Sequence, residues 1–234
     1  MDELIHDQIV DPREAKEHTD FITKVYGWMT FALFLSGMTS VWVAFTPSIT
    51  SLIFDNRFIF YGLLILQLGM VLYLSFLVKK ISAFNATLAF IGYSIVTGLT
   101  LSVIFLVYTV SSIIATFFIT ACVFGAMSAY GYFTERDLTT IGNLLLMALL
   151  GLIIASVVNL FYFNDMLDWI ITYAGVVIFV GLTAYDTQKI KEGNIIGNAG
   201  TDEDKKEAIM GALTLYLDFI NLFLKLLRIF GKRK

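Results

Sequence analysis

Cysteine, histidine and proline are nearly absent: the 234-residue chain has one Cys, two His and two Pro, and only 15% of its residues are charged. A single thiol excludes an intramolecular disulfide, and Cys122, inside an apolar run, reads as a small packing residue. Both histidines, His6 and His18, fall in the polar N-terminal stretch, so a serine protease of the rhomboid kind, which needs an intramembrane histidine, is excluded. Long polar segments are scarce too, which leaves no room for a water-soluble catalytic domain. What fills the chain is hydrophobic: 58% of residues, 21 of them Phe, with a mean hydropathy of +0.79. Such a chain is built for lipid.

Crossing the hydrocarbon core as a helix takes about 20 apolar residues. Residues 25–45 and 58–78 each qualify. Residues 81–134 carry no charge over 54 positions, which suits two spans with a turn near Tyr108 to Ser112. Residues 138–164 and 167–187 give a fifth and a sixth span, and 208–230 a seventh that contains Asp218, Lys225 and Arg228. The first apolar run is too long for the core of a secretory signal and is expected to stay in the mature protein. The domain reading is a polar cytoplasmic tail at 1–24, one transmembrane domain at 25–231 and a basic tail at 232–234. The fold class is all-α, a seven-helix polytopic membrane bundle.

Lysine and arginine set the orientation. With alternating spans, the N-terminal side collects Arg13, Lys16, Lys24, Lys79, Lys80, Arg136, Lys189, Lys191, Lys205 and Lys206, while the opposite loops carry only Arg57. That places the N-terminus in the cytoplasm. The C-terminal cluster of Lys225, Arg228, Lys232, Arg233 and Lys234 disagrees. Either the last helix crosses against the rule or it re-enters; a full crossing is expected, because the first six spans fix the topology.

Before the last span, Gly193, Gly197 and Gly200 interrupt regular structure, and "TDED" at 201–204 has the form of a capping box, so that helix begins in water near Asp202. Asp218 then lies roughly 15 Å beyond Ala208, where the helix enters the bilayer. Leu213, Leu217, Ile220 and Leu224 mark an inward face by helical spacing, and Asp218, Asn221 and Lys225 form a polar stripe. A helix with such a stripe belongs in the middle of the bundle.

The sixth span ends in "GLTAYDTQKI", where Asp186 follows seventeen uncharged residues. Intramembrane acids are costly unless paired, hydrated or protonated, and by default they mark function. Asp186 and Asp218 lie on consecutive antiparallel helices, both within reach of the cytoplasmic side. Two carboxylates in contact at low dielectric share a proton, and once fully ionised they repel each other. The pair is therefore read as a pH sensor that attracts cations, or else as a hydrogen bond that merely pins two helices together.

"TGLTLS" at 97–102, "GAMSAYGY" at 125–132, "GLTAYDTQKI" at 181–190 and "GALTLYLDFINLFLKLLRIFG" at 211–231 together resemble the Bax inhibitor-1 family, the transmembrane Bax-inhibitor-motif proteins, and in particular its short bacterial members. The resemblance implies a seven-helix bundle with the seventh helix central and the others around it in two groups of three. It also implies a pH-dependent calcium leak with a di-aspartyl sensor that matches Asp186 and Asp218. In such relatives an arginine at the cytoplasmic end of the second span pairs with the sixth-span aspartate, and an acid lies further up that span. Here Gln67 stands at the acid's place and Val78 at the arginine's, beside Lys79 and Lys80. Lysine brings charge without the guanidinium fork, and the pathway has one carboxylate fewer, so calcium contact at Asp186 and Asp218 is expected to be weak and transient.

The function expected is a pH-sensitive, calcium-permeable leak channel of the bacterial inner membrane, gated by Asp186 and Asp218. Thr183, Asn221, Gln67, Lys79 and Lys80 are its candidate latch or pathway neighbours. The alternative is a non-conducting regulator that binds other membrane proteins, such as a quality-control protease. No enzymatic activity, no cofactor and no nucleic-acid partner are expected; the partners are the lipid bilayer, calcium or other cations, and membrane proteins. An intramembrane aspartyl protease is disfavoured by "LYLD" in place of Gly-x-Gly-Asp and by the lack of Pro-Ala-Leu, and a retinal protein by the absence of an acid in the third span to balance Lys225.

Overall fold

The computed structural model describes residues 12–193, 195 and 197–234, with side chains from Lys16 onward. His6, the side chain of Arg13 and residues 1–11 of the expected tail lie outside the described residues. The helices are α1 (Pro12–Ala44), α2 (Pro47–Phe54), α3 (Arg57–Leu77) with a 3-10 turn at Val78–Lys80, α4 (Ala83–Leu101), α5 (Ile104–Val107), α6 (Val110–Phe133), α7 (Thr139–Tyr162), α8 (Asp165–Glu192) and α9 (Asp202–Phe230). Seven of these segments, α1, α3, α4 with α5, α6, α7, α8 and α9, are long and apolar enough to cross a membrane. The protein is an all-α polytopic membrane bundle.

Side-chain caps fix several helix starts. Asn56 accepts from Phe58 N at 3.0 Å, Ser82 from Asn85 N at 3.3 Å and Asn164 from Leu167 N at 3.0 Å, each satisfying an amide that the helix leaves without an internal partner. Two starts differ from the sequence reading. Helix α1 begins at Pro12, so residues 12–24 continue the first span outward as helix. The loop after it folds into α2, with Pro47 in its first turn, where a missing N–H costs nothing.

Helix α9 is the axis: fourteen of its residues are buried, whereas α3 buries only Leu74 and α7 only Gly142 and Leu152. It packs on α1, α4, α6 and α8, while α3 reaches the bundle through α4 and α7 through α8. The others therefore form two groups of three, α1/α3/α4 and α6/α7/α8. Close approach within each group depends on missing side chains: a Cβ at Gly98 of α4 would sit 2.6 Å from Ser36 O and from Thr39 Cβ of α1. The α9 face toward α1 and α4 carries Tyr216, whose hydroxyl lies 2.7 Å from Ser36 Oγ, and Tyr93 meets its ring edge-on at 5.8 Å. Toward α6, Phe117 and Phe124 meet Phe219 edge-on, centroids 5.4 Å apart.

The inward face of α9 is not the leucine row expected. Leu213 is buried, but Leu217 and Ile220 are half-buried and Leu224 is 36% exposed; Leu215, Tyr216, Phe219, Leu222, Phe223, Leu226 and Leu227 fill the core instead. Cys122 is exposed on the lipid-facing side of α6 rather than packed inside. Both errors share one cause: lipid tails are as apolar as the interior, so an apolar residue fits either side.

The start of α9 is anchored to α1. Thr201 Oγ1 accepts from Asp204 N at 3.2 Å as the capping box requires, but Asp204 Oδ2 accepts from Gly200 N, one residue earlier than the reciprocal bond expected, and from Lys24 Nζ, each at 2.7 Å. Asp204 is only 2% exposed. Lys24→Met should leave that carboxylate with amide donors alone and destabilise the protein in detergent by about 1–3 kcal/mol, with Lys24→Arg restoring most of the loss. Thermal melts of the two variants check this.

Helix α9 is continuous over 29 residues, about 43 Å. At its start Asp202 Oδ2 accepts from Ala83 N, at one end of α4. At its finish the tail pairs with the connection after α4 and α5: Thr109 N donates to Lys232 O and Lys234 N to Val107 O, both at 3.0 Å. Lysine 234 also donates from Nζ to Phe105 O at 2.6 Å. The re-entrant alternative is thereby removed, since the two ends of α9 lie at opposite ends of α4. With Cys122 replaced by Ser, Lys234→Cys should react with an impermeant thiol reagent from the face opposite the one that labels Lys80→Cys; labelling of both from one face would contradict the crossing.

Candidate functional site: a buried di-aspartate

The last three turns of α8 make nearly every contact that holds Asp186 in place. Gly131 and Gly142 are the receiving positions: a Cβ at Gly131 of α6 would run into the carbonyl oxygen of Ala184, and one at Gly142 of α7 into the ring of Tyr185. Gln188 closes the loop between those helices, accepting from Leu138 N at 2.8 Å and donating to Arg136 O at 2.9 Å. Lys191 donates to Tyr132 O at 2.9 Å and stands 5.0 Å over the Tyr132 ring. Thr187 joins the groups, 3.3 Å from the Tyr26 hydroxyl of α1 and 3.4 Å from Ser128 Oγ of α6. The motifs "GAMSAYGY" and "GLTAYDTQKI" are thus the two sides of one helix contact.

Held in this way, Asp186 lies beside Asp218 of α9, close enough for each carboxyl to act on the other. They are 9% and 5% exposed. Asp218 Oδ2 is buried with no hydrogen-bond partner among the described residues. Carboxylates accept and do not donate unless protonated, so the two can hydrogen-bond to each other only when one of them carries a proton. The cation acting on Asp186 is Lys189, one turn further along α8, whose ammonium stands 5.5 Å over the Tyr185 ring. Beyond the pair, towards the opposite face, Arg228 of α9 forms an ion pair with Asp168 of α8 and lies 6.0 Å over the Trp169 ring.

The remaining sequence candidates fall elsewhere. Thr183 is buried one turn before Asp186 but donates to Phe179 O at 2.7 Å, and Asn221 donates to Leu217 O at 2.8 Å, so each turns back on its own helix. Gln67 donates to Thr100 Oγ1 at 2.8 Å, joining α3 to α4. Lys79 and Lys80 are exposed, and Lys79 lines a groove with Glu203, Lys206 and Glu207 at the start of α9 rather than facing Asp186. Lys189, in the quoted motif, is a further cation near Asp186 that the sequence reading passed over. Its signal was the i, i+3 spacing from Asp186. Among the described residues no third His, Cys, Asp or Glu joins the pair to form a metal cluster.

The profile of the family described as inhibitor of apoptosis-promoting Bax1 matches residues 18–234. The chain belongs to the Bax inhibitor family. Among its relatives, the inner membrane protein YbhL of Escherichia coli is 51% identical over 229 residues, 97% of both chains. An uncharacterized protein of Borreliella burgdorferi is 44% identical over 214 residues, 92% of both chains, and the uncharacterized protein RP147 of Rickettsia prowazekii is 45% identical over 217, 92% of this chain and 90% of its own. The Bax inhibitor family match covers all of α3–α9, and with them both aspartates and the surfaces that hold them.

Proposed function

We infer that the protein is a pH-sensitive, calcium-permeable leak channel of a bacterial inner membrane, without enzymatic activity, with its N-terminus in the cytoplasm and Asp186 and Asp218 as the gate. The observation that carries this reading is the buried carboxylate pair with its unpartnered Asp218 oxygen, on the central helix of a membrane bundle. A proton shared by the pair holds α8 to α9. When that proton leaves, two like charges at low dielectric push the helices apart and present an acidic site to a cation. Flux therefore rises as pH rises through the loss of the shared proton. Two carboxylates offer four oxygens where calcium takes six to eight, which suits brief contact in transit over storage. The name of the Escherichia coli relative supports the inner-membrane assignment, and the excess of lysine and arginine on the N-terminal side supports the orientation.

The deciding experiment is flux into liposomes holding the purified protein, across pH, with calcium, potassium and protons compared. Calcium flux that increases with pH and exceeds that of empty liposomes is the expected result. Absence of flux for all three ions at every pH would leave the carboxylate pair as a helix fastener and overturn the channel reading.

A further inference from the structure

Seven residues beyond Asp218, about 10 Å along α9, stands Lys225. Its stem lies across Gly175 of α8: a Cβ on that buried glycine would be 2.9 Å from Lys225 Cε, 3.1 Å from Cδ and 3.2 Å from Cγ. The α8–α9 seam is therefore shaped to hold this side chain. Lys225 is half-buried, and among the described residues it has neither an ion pair within 4.0 Å nor a hydrogen bond. The nearby acid of α8, Asp168, is committed to Arg228. From the carboxylate pair outward, the polar stripe of α9 thus runs Asp218, Asn221, Lys225 and Arg228, with the lysine as its uncompensated cation.

We propose that Lys225 is the outer electrostatic barrier of this seam and sets which cations leave it, slowing divalent ions more than monovalent ones. The proposal rests on the channel reading above. A fixed positive charge raises the energy of a passing cation in proportion to that cation's charge. The barrier against calcium is therefore twice the barrier against potassium, and the rate factor for calcium is the square of that for potassium. The seam then has opposite ends, an acidic one that gathers cations and a basic one that meters their exit. A lysine serving only to pack its stem over Gly175 would make no distinction between ions.

The test compares calcium and potassium flux into liposomes for the wild type, Lys225→Met, which keeps an unbranched stem over Gly175, and Lys225→Arg, which keeps the charge. Lys225→Gln serves as a second neutral variant if Lys225→Met is not monodisperse. A neutral variant is expected to raise potassium flux roughly threefold and calcium flux roughly tenfold, with Lys225→Arg within about twofold of wild type for both. Wild-type flux that the neutral variants leave unchanged, or raise equally for both ions, overturns the barrier while the channel reading stands. No flux from any of the proteins overturns both.

Discussion

Asp218→Asn is expected to hold flux at the level the wild type shows at low pH and to abolish its pH dependence. The asparagine amide is a permanent donor facing the Asp186 carboxylate, so the contact between α8 and α9 persists whether or not a proton is available. Asp186→Asn should behave alike, because the shared proton belongs to the pair and neither residue titrates alone. The wild type should change by up to about tenfold per pH unit where one proton controls the gate, and each asparagine variant by less than about twofold over the same range. Alanine separates locking from mere loss of titration: Asp218→Ala removes the fastener along with the charge, and its flux should be pH-independent but high. Wild-type pH dependence surviving in both asparagine variants would make the aspartates structural.

Gly131→Ala is expected to be among the most destabilising single-methyl changes in the protein, while Gly125→Ala, on the same helix, should raise the melting temperature. The Gly131 Cβ would meet the backbone carbonyl of Ala184, which no side-chain rotation can remove, so α8 must be pushed away from α6 two residues before Asp186. Overpacking of this kind costs about 1–3 kcal/mol. At Gly125 the added methyl meets nothing within 4 Å, and replacing a mid-helix glycine should gain about 0.5–1 kcal/mol. Thermal unfolding in detergent gives both signs in one experiment; shifts of the same sign would mean that the α6–α8 seam is loose. Displacement of α8 should also weaken the pH dependence of flux in Gly131→Ala.

The order of the spans, the break near Tyr108, the start of the last helix at Thr201 and the family were all legible in the chain. Each rests on signals that neighbours in sequence carry: uncharged length, a cap, a motif. The two intramembrane aspartates were legible for a related reason, since a carboxylate in an apolar run needs an explanation wherever the run folds. Three-dimensional partnership was not legible. That Gln67 serves Thr100, that Lys79 lines a groove with the acids of α9 and that Lys225 lies across Gly175 are outcomes of helix rotation and register.

In a water-soluble protein, the alternation of polar and apolar residues would have announced that rotation. Here it could not, because lipid and core have the same polarity: Leu224 and Cys122 face outward in apolar company as readily as Leu222 and Phe219 face inward. The sequence by itself determined the number and order of the spans, the cap of the last one and the pair of acids that must be reconciled with the bilayer. Only the tertiary structure decided which helix faces meet, because in lipid that choice follows from shape, from glycines such as Gly131 and Gly142 that admit a neighbour and from a few polar bonds between helices, and apolar composition says nothing about any of them.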